Sequence, residues 1–127
     1  MFDAYRNQIT RSVPYTDERD YNQLLAMQQF LGYDPSWTNE DFDALRQLWE
    51  RESNWRTGAL NPNSSARGIP QAMGSLYPET MEPGWLEDPN AQIAWGLDYI
   101  QRRYGSPSEA WAKWQWREKN DERGGWY

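Results

Sequence analysis

Carboxylates are the acid–base groups on which any catalysis by this chain must rest. The 127 residues include no histidine and no cysteine, which excludes Ser-His and Cys-His nucleophile systems, thiol redox chemistry and ordinary zinc sites. Among the 19 acidic residues, Glu52 is the one whose position is unusual. It follows Leu45 by seven residues, which places it only about 20° from Leu45 around a helix. A charged group is not expected on that face.

The helix that carries Glu52 is predicted from its cap and its apolar stripe. Thr38 and Asp41 have the pattern of a capping box, so the helix should begin near Asn39. Apolar side chains then recur at spacings of three and four residues, which is typical of one buried face. This stripe consists of Phe42, Leu45, Leu48, Trp49 and Trp55.

The location of Glu52 near the helix end predicts a raised pKa. Gly58 is expected to be the left-handed residue just past the helix, which leaves Glu52 in the last two turns. Partial burial and the negative end of the helix dipole both disfavour the ionised carboxylate. A carboxyl group that keeps its proton near neutral pH suits general-acid catalysis. The alternative is a solvated helix end on which Glu52 pairs with Arg56, and the helix pattern leaves both interpretations open.

Gly58 to Ala72, GALNPNSSARGIPQA, is predicted to be an irregular loop. Its glycines, prolines and small polar residues interrupt any helical or strand period and expose backbone amides. Next to a buried acid, such a loop could line a cleft for a neutral, hydroxyl-rich ligand.

Three motifs in this region, in order, resemble those of the lysozyme-like lytic transglycosylases of the soluble type, in particular their actinobacterial and phage branch. The motifs are Glu52-Ser53-Asn54-Trp55, Asn61-Pro62 and ARGIPQA at residues 66–72, and the closing GGWY matches the Gly-Trp-Tyr ending of that branch. The resemblance covers roughly residues 32 to 127. With the helical patterns it implies a mainly α fold, a single lysozyme-like helical domain with long irregular loops and at most a minimal β-hairpin.

The resemblance also implies a reaction and a set of site residues. Glu52 would protonate the glycosidic oxygen of peptidoglycan and then accept the proton of the C6 hydroxyl, which closes a 1,6-anhydro ring on the muramic acid. No metal or other cofactor is implied. The residues expected to contact the substrate are Ser53, Gln71, Tyr99, Trp114 and Gln115.

This sequence departs from the family pattern at three of its positions. Trp114 and Gln115 occupy the places of a Tyr-Asn element, and Ser65 stands where most members have glycine. If the loop needs a positive φ at that position, the Cβ of Ser65 would cost about 1 kcal/mol and reshape the loop.

Two other functions remain open. A hydrolytic muramidase would need a second carboxylate or a positioned water, and the candidates for that carboxylate are Glu79, Glu82, Glu87 and Asp88. Asp88 precedes Pro89, so it is better explained as a helix N-cap. The third possibility is a glycan-binding or structural virion module without turnover.

The remaining patterns predict further helices. Residues 1–36 should form an N-terminal extension of two short helices, the first with Phe2, Tyr5 and Ile9 on one face and the second capped by Thr16. Residues 37–127 are expected to form the domain. The helix after Asp88 should end at Gly105, and Gly96 should allow close approach of the helix that bears Glu52. Ser106 to Glu109 has the pattern of a second capping box.

Composition restricts the partners. A net charge of -6 argues against nucleic acid, and no segment is apolar enough for a membrane span. The first residues, MFDAYRNQ, lack the apolar core of a signal peptide. We therefore expect a monomeric domain that acts on peptidoglycan outside the cell or in a phage virion, as part of a larger tail protein or of a secreted protein.

Overall fold

The computed structural model describes residues 14–121, 125 and 127. It confirms the predicted mainly α fold with a minimal hairpin. The elements in chain order are α1 (Pro14–Phe30), α2 (Asn39–Ser53), β1 (Ala66–Arg67), β2 (Ala72–Met73), two 3₁₀ helices (Pro78–Met81 and Trp85–Glu87), α3 (Pro89–Tyr104) and α4 (Pro107–Asn120).

Helix α1 begins earlier than the sequence predicts. It starts at Pro14, so the predicted cap at Thr16 is wrong. Proline is tolerated in the first turn of a helix because the amide hydrogen it lacks would have no partner there. The first predicted helix, with Phe2, Tyr5 and Ile9, lies outside the described residues.

Helix α1 packs chiefly against α3 and forms part of the core. Leu25, Ala26 and Phe30 are buried in the same cluster as the α2 stripe. The buried side chain of Asn22 donates to the carbonyl oxygen of Trp55 at 2.8 Å, which connects α1 to the chain just past Glu52.

Helix α2 has the predicted start but a different end. Asp41 Oδ2 accepts from the backbone N–H of Thr38 at 2.8 Å within the predicted capping box. The helix ends at Ser53, where Asn54 is the left-handed C-cap with φ 54°. The prediction that Gly58 ends the helix is therefore wrong. Asparagine tolerates left-handed backbone better than most residues, so no glycine was required.

Helices α3 and α4 enclose α2. Asp88 Oδ1 accepts from the Ala91 amide at 3.0 Å, as predicted for the N-cap of α3. A Cβ added to Gly96 would lie 2.4 Å from Trp49 Cζ2, so the predicted close approach to α2 is confirmed. Helix α4 has Ser106 as its N-cap and packs extensively against α2.

The two strands form one short antiparallel hairpin with Ala66 opposite Met73. The four connecting residues, GIPQ, carry two left-handed positions, Gly68 and Gln71. Within the described part of the chain, no helix is long and apolar enough to cross a bilayer.

Candidate active site

Glu52 is the penultimate residue of α2, and its carboxyl group is held in an apolar environment. The side chain is partly exposed, yet its Oε2 atom is buried without a hydrogen-bond partner. Burial raises the pKa of Glu52 from 4.5 to about 8, and the weaker influence of the Trp114 indole acts in the opposite direction. The carboxyl group therefore holds its proton at neutral pH.

The predicted alternative, an ion pair between Glu52 and Arg56, is not formed. Arg56 is exposed, and its Nε donates to the Ser53 carbonyl at 3.4 Å. No carboxylate of the described residues contributes to the raised pKa of Glu52. Desolvation of a single acid, rather than repulsion between two, thus sets its protonation state.

Tyr127 forms one wall of this site and was missed by the sequence analysis. Its hydroxyl accepts from Trp49 Nε1 at 2.8 Å and donates to the Pro70 carbonyl at 2.9 Å. The pKa of Tyr127 is raised well above its usual value. Burial is the main cause, and the electrostatic effect of the ionised Glu52 carboxylate is the second. The Gly-Trp-Tyr ending was the available signal, but it indicated only a domain end.

Trp114 on α4 packs closely against Gly125. Its ring stacks on Trp111 with centroids 5.3 Å apart, and the guanidinium of Arg51 lies 5.5 Å from its centroid. A Cβ added to Gly125 would approach Trp114 Cε2 to 2.5 Å. Position 125 can therefore lie this close to Trp114 only as glycine.

Ser53 joins helix α2 to the GIPQ loop rather than facing a ligand. The residue is buried, and its hydroxyl lies 2.7 Å from the Ile69 carbonyl as donor. Gln92 fixes the same loop from α3, since its Oε1 accepts from the Ile69 amide at 2.7 Å. Gln92 is fully buried, and no sequence pattern identified it. Both residues hold the loop beside Glu52.

Gln71 is partly exposed and has a left-handed backbone with φ 55°. Its Nε2 donates to the Gly68 carbonyl at 3.1 Å and lies 3.4 Å from the Ala59 carbonyl. The side-chain amide is thus oriented by its own loop. The amide oxygen of Gln71 accepts no hydrogen bond from a described residue, which leaves an acceptor for a ligand.

Tyr99 connects the Glu52 site to a surface cavity. Its ring contacts Tyr127 edge to face at 5.5 Å and stacks on Trp95 at 5.1 Å with an angle of 12°. Burial raises its pKa. The cavity has a volume of about 300 Å³, and we call it the aromatic cavity; it is lined by Tyr77, Trp95, Tyr99, Arg102 and Arg103.

Another cavity, of about 370 Å³, lies between α1 and α2. It is lined by equal numbers of apolar side chains, among them Leu24, Met27 and Phe42, and polar or charged ones, and includes no predicted site residue. It therefore adds nothing to the chemistry at Glu52.

Two of the departures from the family pattern have clear structural outcomes. Gln115 is exposed on α4 and forms no hydrogen bond with any residue in the described ranges, so nothing connects it to Glu52. Ser65 does not have a positive φ, so the expected strain does not arise. Its hydroxyl instead accepts from the Ser75 amide at 3.0 Å.

The acidic residues of the 74–88 segment have other partners or are exposed. Glu79 Oε2 accepts from Trp95 Nε1 at 3.0 Å, Asp88 caps α3, and Glu82 and Glu87 are exposed. Within residues 14–121, 125 and 127, no group of three acidic side chains is arranged to hold a metal ion.

Comparison with known proteins adds no family to these observations. No family model, no curated protein and no solved structure matches this chain.

Proposed function

We propose that this protein cleaves the glycan strand of bacterial peptidoglycan by lytic transglycosylation. The observation that carries the proposal is the buried carboxyl group of Glu52, whose Oε2 has no hydrogen-bond partner and whose pKa of about 8 keeps it protonated at neutral pH. General-acid catalysis requires a proton donor of this kind within reach of a leaving oxygen.

In the first step, Glu52 donates its proton to the glycosidic oxygen, and the bond between that oxygen and C1 of the muramic acid breaks. The N-acetyl oxygen of the same sugar stabilises C1. The Glu52 carboxylate then removes the proton of the C6 hydroxyl, whose oxygen bonds to C1 and forms the 1,6-anhydro ring. Glu52 is protonated again, and no water is consumed.

The arrangement around Glu52 supports a mechanism with one acid. A hydrolase needs a second carboxylate at a defined separation or an activated water, whereas no carboxylate in the described part of the chain contributes to the raised pKa of Glu52. Gln71 and Tyr99 are proposed to position the substrate, and Trp114 to tune Glu52. We propose that the protein acts at the bacterial cell wall, as a secreted enzyme or a phage virion component.

Product chemistry tests the proposal. Purified peptidoglycan is digested, and the soluble muropeptides are analysed by mass spectrometry before and after borohydride treatment. We expect 1,6-anhydro products, which are lighter by one water than hydrolytic products and are not reduced. Reducible muramic acid ends would instead indicate a muramidase, and absence of soluble products would indicate a binding module.

A further inference from the structure

The aromatic cavity contains a cation, Arg103, that forms no ion pair with an acidic residue in the described part of the chain. Arg103 Nε donates to the Tyr104 hydroxyl at 3.2 Å, but its two Nη groups form no hydrogen bond or ion pair within the described ranges. The neighbouring Arg102, by contrast, is paired with Asp98. In a chain with a net charge of -6, a guanidinium that lines a cavity and has no ion pair among the described residues offers a positive charge to an anionic ligand.

Aromatic rings hold the Arg103 guanidinium in place. It lies 5.8 Å from the centroid of Tyr99 and 5.7 Å from that of Tyr104. With the Nε hydrogen bond, these contacts restrict the side chain before any ligand arrives. The unused Nη groups then present the planar pair of donors that matches a carboxylate.

The other lining residues suit a sugar ring. Trp95 and Tyr99 stack at 12°, and Tyr77 contacts each of them edge to face. Such rings offer apolar faces together with polar edges. Glu79 accepts the indole N–H of Trp95, which restrains the orientation of that ring.

We propose that the aromatic cavity binds a saccharide that carries a carboxylate, with Arg103 as the residue that recognises the carboxylate. The inference rests on the proposed function, because Tyr99 links this cavity through Tyr127 to the wall of the Glu52 site. In peptidoglycan, the carboxylate has two sources: the lactyl group of muramic acid and the acidic groups of the stem peptide.

Binding is measured by calorimetry with Glu52→Gln protein, so that no ligand is consumed. Three ligands of equal glycan length are compared: fragments with intact stem peptides, in which the lactyl group is an amide; the same fragments after an amidase has hydrolysed that amide and freed the lactyl carboxylate; and neutral N-acetylglucosamine oligomers. We expect Arg103→Gln to weaken binding of the carboxylated ligands by about tenfold, as loss of a charge-assisted hydrogen bond does. The neutral oligomer should bind equally well before and after the substitution.

The amidase-treated fragments identify the source. If Arg103→Gln weakens binding of the amidase-treated fragments, the lactyl carboxylate is bound; if it weakens binding of the intact fragments, whose lactyl group is an amide, the carboxylate belongs to the peptide. Either result supports the proposal.

Arg46→Gln is the matched control, because it removes the same charge from an exposed side chain that is paired with Asp43 and does not line the aromatic cavity. We expect this substitution to weaken binding of the carboxylated ligands by less than about threefold, as expected for a surface charge. Arg103→Lys, which keeps the charge but not the planar donors, should recover only part of the affinity. Circular dichroism verifies that each variant is folded.

Equal losses of affinity in Arg46→Gln and Arg103→Gln, or no loss in the latter, would overturn the inference and leave the proposed function intact. A protein that binds none of the three saccharides would contradict both.

Discussion

Glu52 and Glu79 each interact with a tryptophan, yet their pKa values are shifted in opposite directions. Burial raises the pKa of Glu52 to about 8, against a smaller effect of Trp114. Glu79 is exposed, and the hydrogen bond from Trp95 lowers its pKa. Solvent access therefore decides whether a carboxyl group beside an indole is kept as an acid or as an anion. The proposed chemistry depends on this difference.

The largest expected effect comes from removing the proton donor. Glu52→Gln keeps the shape of the side chain but supplies no proton, so release of soluble muropeptides should fall by about 10²- to 10⁴-fold. Glu79→Gln is the matched control and should stay within a few-fold of the parent. Comparable activity in parent and Glu52→Gln protein would remove Glu52 from the mechanism.

The second prediction concerns how stability depends on pH. Between pH 4.5 and about 8, the folded protein holds a proton on Glu52 that the unfolded chain has released, so the free energy of unfolding should fall as pH rises. We expect a loss of roughly 2–4 kcal/mol between pH 5 and pH 8 in urea denaturation, and a much flatter profile for Glu52→Gln.

Carbon-13 NMR of the glutamate side chains measures the pKa values of Glu52 and Glu79 directly. Glu52 should titrate near 8, whereas Glu79 should titrate below 4.5. The pKa of Glu79 is lower in the folded protein than in the unfolded chain. The Glu79 carboxylate therefore contributes to stability above pH 4.5, and this contribution is lost as the pH falls through the folded pKa. A Glu52 titration at or below 4.5 would contradict the burial argument.

The sequence predicted the features of this site that arise from local patterns. The position of Glu52 on an apolar stripe, the Thr38–Asp41 cap and the Asp88 cap all follow from spacing along one helix. The end of α2 did not, because Asn54 and Gly58 both tolerate left-handed backbone and only packing of Trp55 decides between them. Tyr127 and Gln92 were also missed, since their contacts join residues that are far apart in sequence.

Packing behind the site gives a third prediction. A Cβ at Gly96 would meet Trp49 and Pro70, so Gly96→Ala should lower the free energy of unfolding by about 1–3 kcal/mol through overpacking. Gly58 is the matched control, because a Cβ there meets nothing within 4 Å. Gly58→Ala should be neutral or stabilising by up to about 1 kcal/mol. Equal effects in denaturant titrations would contradict the close approach of α3 to α2.

Removing only the hydroxyl of Tyr127 tests whether its ring or its hydroxyl controls the pKa of Glu52. Tyr127→Phe leaves Trp49 Nε1 and the Pro70 carbonyl without their present partner, which should cost about 1–2 kcal/mol of stability. Glu52 should still titrate above 4.5, because the ring continues to exclude water. A Glu52 titration that returned to the ordinary range in this variant would show that the hydroxyl, rather than burial, controls the acid.

The smallest effect is expected at Glu79, the exposed carboxylate of the two that are compared. Trp95→Phe removes the indole N–H that donates to Glu79 at 3.0 Å but keeps an aromatic ring in the cavity. That hydrogen bond is the first cause of the lowered pKa of Glu79, so its loss should move the titration of Glu79 upward towards its ordinary value. Glu52 should be unaffected, because Trp95 is not among the groups that shift its pKa. Carbon-13 NMR of both carboxyl groups in one sample measures the two responses together. A change at Glu52 as large as that at Glu79 would mean that the two carboxyl groups share one environment, and the contrast between buried acid and exposed anion would no longer hold.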